Sequence, residues 1–195
     1  YAPDKMDSGE LKVLYVYGEN PVMSDPWTEH FVHATHHLDC FIVQDLFFTE
    51  SAQKADVVLP AAGWGEKDGT FINTSRRVQR TRKASEPVAG VEPDWKVVCN
   101  IAKVMGLEGF DFLSAEEVWD ELRKLMPKFF GGISYYRLEK LGGISWPCPD
   151  EDHAGTPDLY IDHKSMLPDG KFRLAPVLYA DDKDKRASME AEFRH

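Results

Sequence analysis

At 195 residues the chain can bury one good core, or one core and a smaller satellite. Hydrophobic residues at 43% and charged residues at 29% exclude wholesale disorder, and a formal net charge of −10 disfavours non-specific binding to nucleic acid or anionic membrane, whose phosphates an acidic surface repels. No apolar run approaches the roughly 18 residues needed to span a bilayer, and no signal-peptide pattern opens a chain that starts at Tyr1 rather than Met, so a processed or excised polypeptide of open compartment is expected.

Residues 1–10 are polar and read as a connector. Val13-Leu14-Tyr15-Val16-Tyr17 is a continuous apolar run, the pattern of a central strand, and it ends in Gly18-Glu19-Asn20-Pro21. Gly18, lacking a Cβ, lets a ligand come close to the backbone there. Ser24 or Asp25 is placed to cap the next helix with Pro26 at its first position, and that helix runs to about His37 with Phe31, Ala34 and Leu38 on its inward stripe. Phe41-Ile42-Val43 predicts a second strand ending at Gln44-Asp45. A short helix from Glu50 to Lys54, capped by Thr49, leads to a third strand at Val57-Val58-Leu59, stopped by Pro60. Strand, helix, strand, helix, strand is the order of a parallel sheet, in which ligands sit beyond the carboxyl ends of the strands. That rule selects Gly18 to Asn20, Gln44 with Asp45, and Pro60 to Ala62.

An Asp68-Gly69 turn and a Thr70-Phe71-Ile72 strand follow, then a cationic tract of Arg76, Arg77, Arg80, Arg82 and Lys83. Glu86 to Pro93 reads as a boundary loop. Asp94 is expected to cap a helix carrying Trp95, Val98, Ala102 and Met105, ended by Gly106. A capping box at Ser114 to Glu117 opens a second helix to about Met126, and Ser134 starts a third that ends at Gly142-Gly143. Leu159-Tyr160-Ile161 and Phe172-Arg173-Leu174 are expected to pair as a small hairpin, and the charged stretch over 181–195 reads as a linker. The fold class is therefore α/β: a parallel-sheet, Rossmann-like region, a mainly helical segment and a small β-hairpin.

Taken alone, several candidates have plain readings. Gly18-Glu19-Asn20-Pro21 is a polar strand-to-helix turn, since the Gly-x-Gly-x-x-Gly fingerprint is missing. Glu29, His30, His33, His36 and His37 place imidazoles at spacings of three and four that suit a divalent metal, yet the stretch lacks the His-Glu-x-x-His pattern and reads first as an exposed helix. Glu66 and Asp68 have no base partner in the sequence. Cys40, Cys99 and Cys148 are far apart with no Cys-x-x-Cys, so neither a disulfide framework nor an iron–sulfur or zinc site is encoded.

Ala55-Asp56-Val57-Val58-Leu59-Pro60, then Trp64-Gly65-Glu66, Gly69-Thr70-Phe71, Asn73 and Arg76-Arg77-x-Gln79-Arg80, appear in an order that resembles the large subunit of molybdopterin oxidoreductases, and within it the catalytic subunit of formate dehydrogenases. The similarity runs from about Leu11 to about Leu174, the middle of a much longer polypeptide. It implies interconversion of formate and carbon dioxide at molybdenum or tungsten held by two pterin guanine dinucleotides (bis-molybdopterin guanine dinucleotide), with electrons passed to a 4Fe-4S cluster.

Gly18, Glu19, Asn20, Ser24, Gln44 and Asp45 then line one half of a dinucleotide site, Ala61 contributes backbone only, and Asp94 accepts two hydrogen bonds from guanine. The resemblance divides the chain into a cofactor-binding region at 1–63, a helical and hairpin region at 64–180 packed on an iron–sulfur domain, and the linker at 181–195. Its partners are the remaining domains of the same subunit, an iron–sulfur electron-transfer subunit and formate or carbon dioxide, with neither nucleic acid nor a transmembrane segment. The sequence holds no recognisable metal ligand or catalytic residue, so the isolated chain is expected to be inactive. Nitrate reductase, a cofactor-free complex I-type scaffold and a free-standing nucleotide-binding module remain alternatives.

Overall fold

The computed structural model describes residues 1–174, and the expected linker at 181–195 lies outside the described residues. The chain divides into a unit spanning Tyr1–Pro157 and a second that begins at Asp158.

The larger unit opens on a helix, α1 (Ala2–Asp7), where a polar connector was expected; Pro3 stands in its first turn and Met6 is buried. Strands β1 (Val13–Tyr17), β2 (Cys40–Asp45) and β3 (Val57–Pro60) form a parallel sheet in the order β1-β2-β3. β1 is thus an edge among the described strands rather than the central one, because each crossover steps one strand in the same direction and leaves β2 in the middle. The alternation of side chains sorts the faces. Leu14, Val16, Phe41 and Val43 pack with Met6, Val22, Phe31 and Ala34, and Phe41 alone contributes about 1.5–3 kcal/mol by full burial. Tyr15, Tyr17, Ile42 and Gln44 point the other way.

The helix after β1 is broken in two, α2 (Pro21–Ser24) and α3 (Thr28–Thr35). Pro21 starts the first turn, and Asp25 then adopts an extended backbone and accepts from the Trp27 N–H at 2.8 Å, so neither Ser24 nor Asp25 caps α3. Phe31 and Ala34 are buried as the stripe predicts. A 3-10 turn at Ala52–Lys54 has Thr49 Oγ1 accepting from the Ala52 N–H at 3.2 Å, the expected cap on a shorter element.

β4 (Gly69–Ile72), β5 (Arg77–Thr81) and β6 (Ile144–Ser145) make an antiparallel sheet. Four helices accompany it: α4 (Asp94–Val104), α5 (Ala115–Leu125), the single turn α6 (Pro127–Phe130) and α7 (Tyr135–Leu141). On α4 Cys99 and Ala102 are buried while Val98 and Met105 are exposed, so the inward stripe is narrower than its composition indicates. The α5 box forms with Ser114 Oγ accepting from the Glu117 N–H at 3.2 Å, while Glu117 reaches back to the Leu113 N–H at 2.7 Å. Val78, Trp119, Phe130, Ile133, Leu138, Ile144 and Cys148 form a second core here. It closes at Gly132, where a Cβ would lie 1.8 Å from the Asp150 carbonyl oxygen, so only glycine fits.

In the second unit neither Leu159–Ile161 nor Phe172–Leu174 is a strand. Tyr160 and His163 have φ of 62° and 58°, which extended pairing cannot absorb. What forms instead is a turn, with the Ser165 N–H donating to the Gly170 carbonyl at 2.8 Å and an edge contact between the Tyr160 and Phe172 rings.

Candidate functional site

Parallel register brings the three strand ends side by side. Tyr17 is level with Gln44 and Asp45 with Pro60, while the Gly18 N–H donates to the Gln44 carbonyl at 2.9 Å and the Ala61 N–H to the Asp45 carbonyl at 3.1 Å. Gly18, Gln44, Asp45 and Ala61, selected from the sequence, therefore share one rim. Gly18 has φ of 63° with nothing within 4 Å of where its Cβ would be, a turn that favours glycine and leaves its backbone open. Ala61 bridges to Glu92.

The other selected residues sit around this rim in different ways. Glu19 is exposed and Ser24 ends α2, also exposed. Asn20 is used as a pin: its Nδ2 donates to Glu50 at 2.8 Å, and its Oδ1 accepts from the Ser51 N–H at 3.1 Å and the Ser51 hydroxyl at 2.7 Å. Buried Ser51 in turn accepts from the Val22 N–H at 3.1 Å, tying the loop after β1 to the loop after β2. Asp45 Oδ1 accepts from the Phe47 N–H at 3.1 Å.

Gln44 and Asp94 meet, which their separation in sequence does not suggest. Gln44 is wholly buried; its Nε2 donates to Asp94 Oδ1 at 2.9 Å and its Oε1 accepts from the Tyr15 hydroxyl. Asp94 Oδ2 pairs with Lys67 Nζ, both side chains largely enclosed, and the charge of the same carboxylate also bears on the Tyr17 phenol. Asp94 is thus not the helix cap expected of it: Pro93 holds the N-cap position, no side chain bonds the exposed amides, and the carboxylate is turned to Gln44 and Lys67. Burial, then the Asp94 charge and hydrogen bond, push the Tyr17 phenol up to about 12. Burial and the same carboxylate raise Tyr15 as well.

Beside this network lie two adjoining hollows of about 480 and 440 Å³, sharing Tyr17, Asp94, Trp95, Val118 and Leu122 in their walls. The walls thus combine an acceptor carboxylate with the aromatic side chains of Tyr17 and Trp95. Tyr15, Tyr17 and Lys67 were missed by sequence reasoning. The i, i+2 spacing of the tyrosines on a strand was a usable signal; Lys67, between Glu66 and Asp68, carried none.

Other candidates resolve into structure. Glu66 accepts from the Gly63 N–H at 2.8 Å and Asp68 from the Lys83 N–H at 3.3 Å. Arg80 and Arg82 both pair with Glu139, Lys83 pairs with Glu86, and Arg76 donates to the carbonyls of Trp146, Thr156 and Pro157. Cys148 is buried, with Arg137 Nη1 3.4 Å from its sulfur, and all three thiols are free. No helix among the described residues is long and apolar enough to cross a membrane.

The family model described as Molybdopterin oxidoreductase matches residues 2–104, which hold the whole rim and Asp94. The chain is 46% identical over 182 residues, 92% of its length, to the F420-dependent formate dehydrogenase subunit alpha of Methanocaldococcus jannaschii, and covers 27% of that protein. It is 37% identical over 179 residues to the assimilatory nitrate reductase catalytic subunit of Bacillus subtilis, covering 89% of this chain and 25% of that one. The chain therefore spans about a quarter of the length of these curated relatives. Among solved structures, acetylene hydratase from Pelobacter acetylenicus shares the fold with a TM-score of 0.60 and 19% identity, over 76% of this chain and 20% of that one.

Proposed function

The chain belongs to the molybdopterin oxidoreductase family, and on that premise we propose that it is a segment of the catalytic subunit of a formate dehydrogenase, interconverting formate and carbon dioxide. One observation carries this reading: 46% identity across 92% of the chain to a formate dehydrogenase alpha subunit, against 37% for the nitrate enzyme. A nitrate reductase is the second reading, favoured by that latter similarity.

The group to be held is a pterin guanine dinucleotide bearing molybdenum or tungsten. The residues fit a guanine in one respect: an acceptor carboxylate, fixed by Gln44 and Lys67, lines a hollow whose walls also include Tyr17 and Trp95. In this proposal Asp94 accepts from the guanine edge through the lone pairs that Gln44 and Lys67 leave over. Gly18 to Asn20 and Ser24 line one side of the dinucleotide, and Asp45 with the backbone of Ala61 lines the other. Gln44, being buried, orients Asp94 rather than touching the nucleotide. When bound, the metal group supplies the two-electron chemistry, with a 4Fe-4S cluster outside this chain as the electron exit. The chain's own work is to bind and orient.

The regions 1–63 and 64–180 are proposed to serve as cofactor-binding and domain-packing parts respectively. Trp64, Val104 and Leu113, at 70%, 90% and 84% exposure, supply apolar surface for the remaining domains and an iron–sulfur subunit.

The test uses the complete subunit: formate- and nitrate-dependent dye turnover, metal content, and guanine nucleotide released by acid hydrolysis. Formate turnover with bound guanine is expected, and Asp94→Asn lowers guanine content. Nitrate turnover without formate turnover sinks the substrate assignment. Undiminished guanine in Asp94→Asn sinks the role given to that carboxylate.

A further inference from the structure

On the opposite face of the parallel sheet from the Asp94 network, α1 lies against α3 through buried Met6, Phe31 and Ala34. This packing sets Asp7, the last residue of α1, over the carboxyl-terminal end of α3, near His33 in its last turn and His37 two residues beyond it. The two oxygens of Asp7 are divided between tasks. Oδ2 accepts from His30 Nε2 at 2.8 Å, while Oδ1 faces His37 Nδ1 at 3.3 Å and His33 Nδ1 at 4.0 Å. One donor atom from each of Asp7, His33 and His37 falls within 4.8 Å of the others.

We propose that Asp7, His33 and His37 form a surface binding site for a divalent transition metal of the zinc type, with His30 holding the carboxylate in position. Two imidazoles and a carboxylate are the donor set of zinc rather than of magnesium or calcium, which take oxygen. Tetrahedral ligands at about 2.0–2.1 Å from an ion lie about 3.3 Å apart, and the His37 and Asp7 atoms already have that separation of 3.3 Å. His33, 71% exposed, closes the remaining gap by rotating its ring. A His-to-carboxylate hydrogen bond behind a ligand is the usual means of orienting a metal site, here supplied by His30. Water completes the coordination. The site makes no use of the cofactor reading, since it rests on α1 and α3 alone.

Calorimetric titration of Zn²⁺ into the metal-free 195-residue chain tests this, with Co²⁺ absorption as a check on nitrogen–oxygen coordination. One equivalent is expected to bind, and Zn²⁺ raises the melting temperature. Asp7→Asn and the double variant His33→Gln/His37→Gln lose affinity at least about tenfold, and His30→Gln falls about ten- to hundredfold, as for an orienting partner. His36→Gln, at an exposed histidine outside the cluster, leaves binding unchanged. Should the double variant not fold, as judged by circular dichroism, His33→Gln alone carries the same comparison. Equal affinity in the ligand variants, an equal loss in His36→Gln, or no uptake at millimolar Zn²⁺ overturns the proposal.

Discussion

Replacing Asp94 by alanine tests whether its carboxylate is a structural anchor inside the fold. The substitution leaves Gln44 Nε2, on a fully buried side chain, without its acceptor, at a cost of about 1–3 kcal/mol. It also strips Lys67 of its counter-ion. Breaking a buried pair costs about 3–5 kcal/mol, but Lys67 keeps 17% exposure and can turn its ammonium to water, so the low end applies. The expected loss is therefore about 4 kcal/mol or more, above the roughly 0.5–2 kcal/mol of a lost helix cap. Asp94→Asn retains an acceptor for Gln44 while removing the charge, and should fall between wild type and alanine. The assay is urea unfolding of both variants, of Lys67→Met and of the double variant. A coupling of about 1–3 kcal/mol between positions 94 and 67 is expected. Coupling below about 0.5 kcal/mol, or equal losses for asparagine and alanine, would refute the reasoning.

Three further outcomes are expected. Gly132→Ala should cost about 3 kcal/mol, since its methyl would meet the Asp150 carbonyl at 1.8 Å, and an unchanged urea midpoint would contradict that close approach. Asn20→Ala unties the Ser51 amide and hydroxyl together and should lose about 1–3 kcal/mol, read by urea unfolding, with faster hydrogen exchange at Ser51 and Val22 as the local sign. Tyr17, raised from 10.0 to about 12, favours the fold fully below pH 10, and that contribution disappears as pH rises through about 12. Absorbance at the tyrosinate band, compared with Tyr17→Phe, should show its ionisation near pH 12 and show Asp94→Asn moving it down; a midpoint at the ordinary value would refute the burial of the phenol beside the Asp94 charge.

Much of the fold was legible because local rules act within a few residues. The three parallel strands, the Ser114 box and the stop at Gly142 follow from apolar runs, capping hydroxyls and glycines whose partners lie within one turn. Errors arose where the deciding neighbour was not local. Asp94 carries every mark of a helix cap, yet Gln44, fifty residues earlier, and Lys67, twenty-seven earlier, claim its oxygens. Tyr160 and Phe172 sit in runs suited to strands, but positive φ at Tyr160 and His163 turns the chain before any pairing begins.

The amino-acid order alone determined which residues stand at the ends of β1, β2 and β3, because alternation and turn chemistry are properties of short segments. Only the tertiary structure decided what those residues do. Folding buries the side chain of Gln44 behind the rim, turns Asn20 into a pin on Ser51, and carries Asp7 against His33 and His37. The physical reason is that hydrogen bonds and ion pairs reach only a few ångströms. A side chain's partner is therefore chosen by packing and register, which no single stretch of sequence contains.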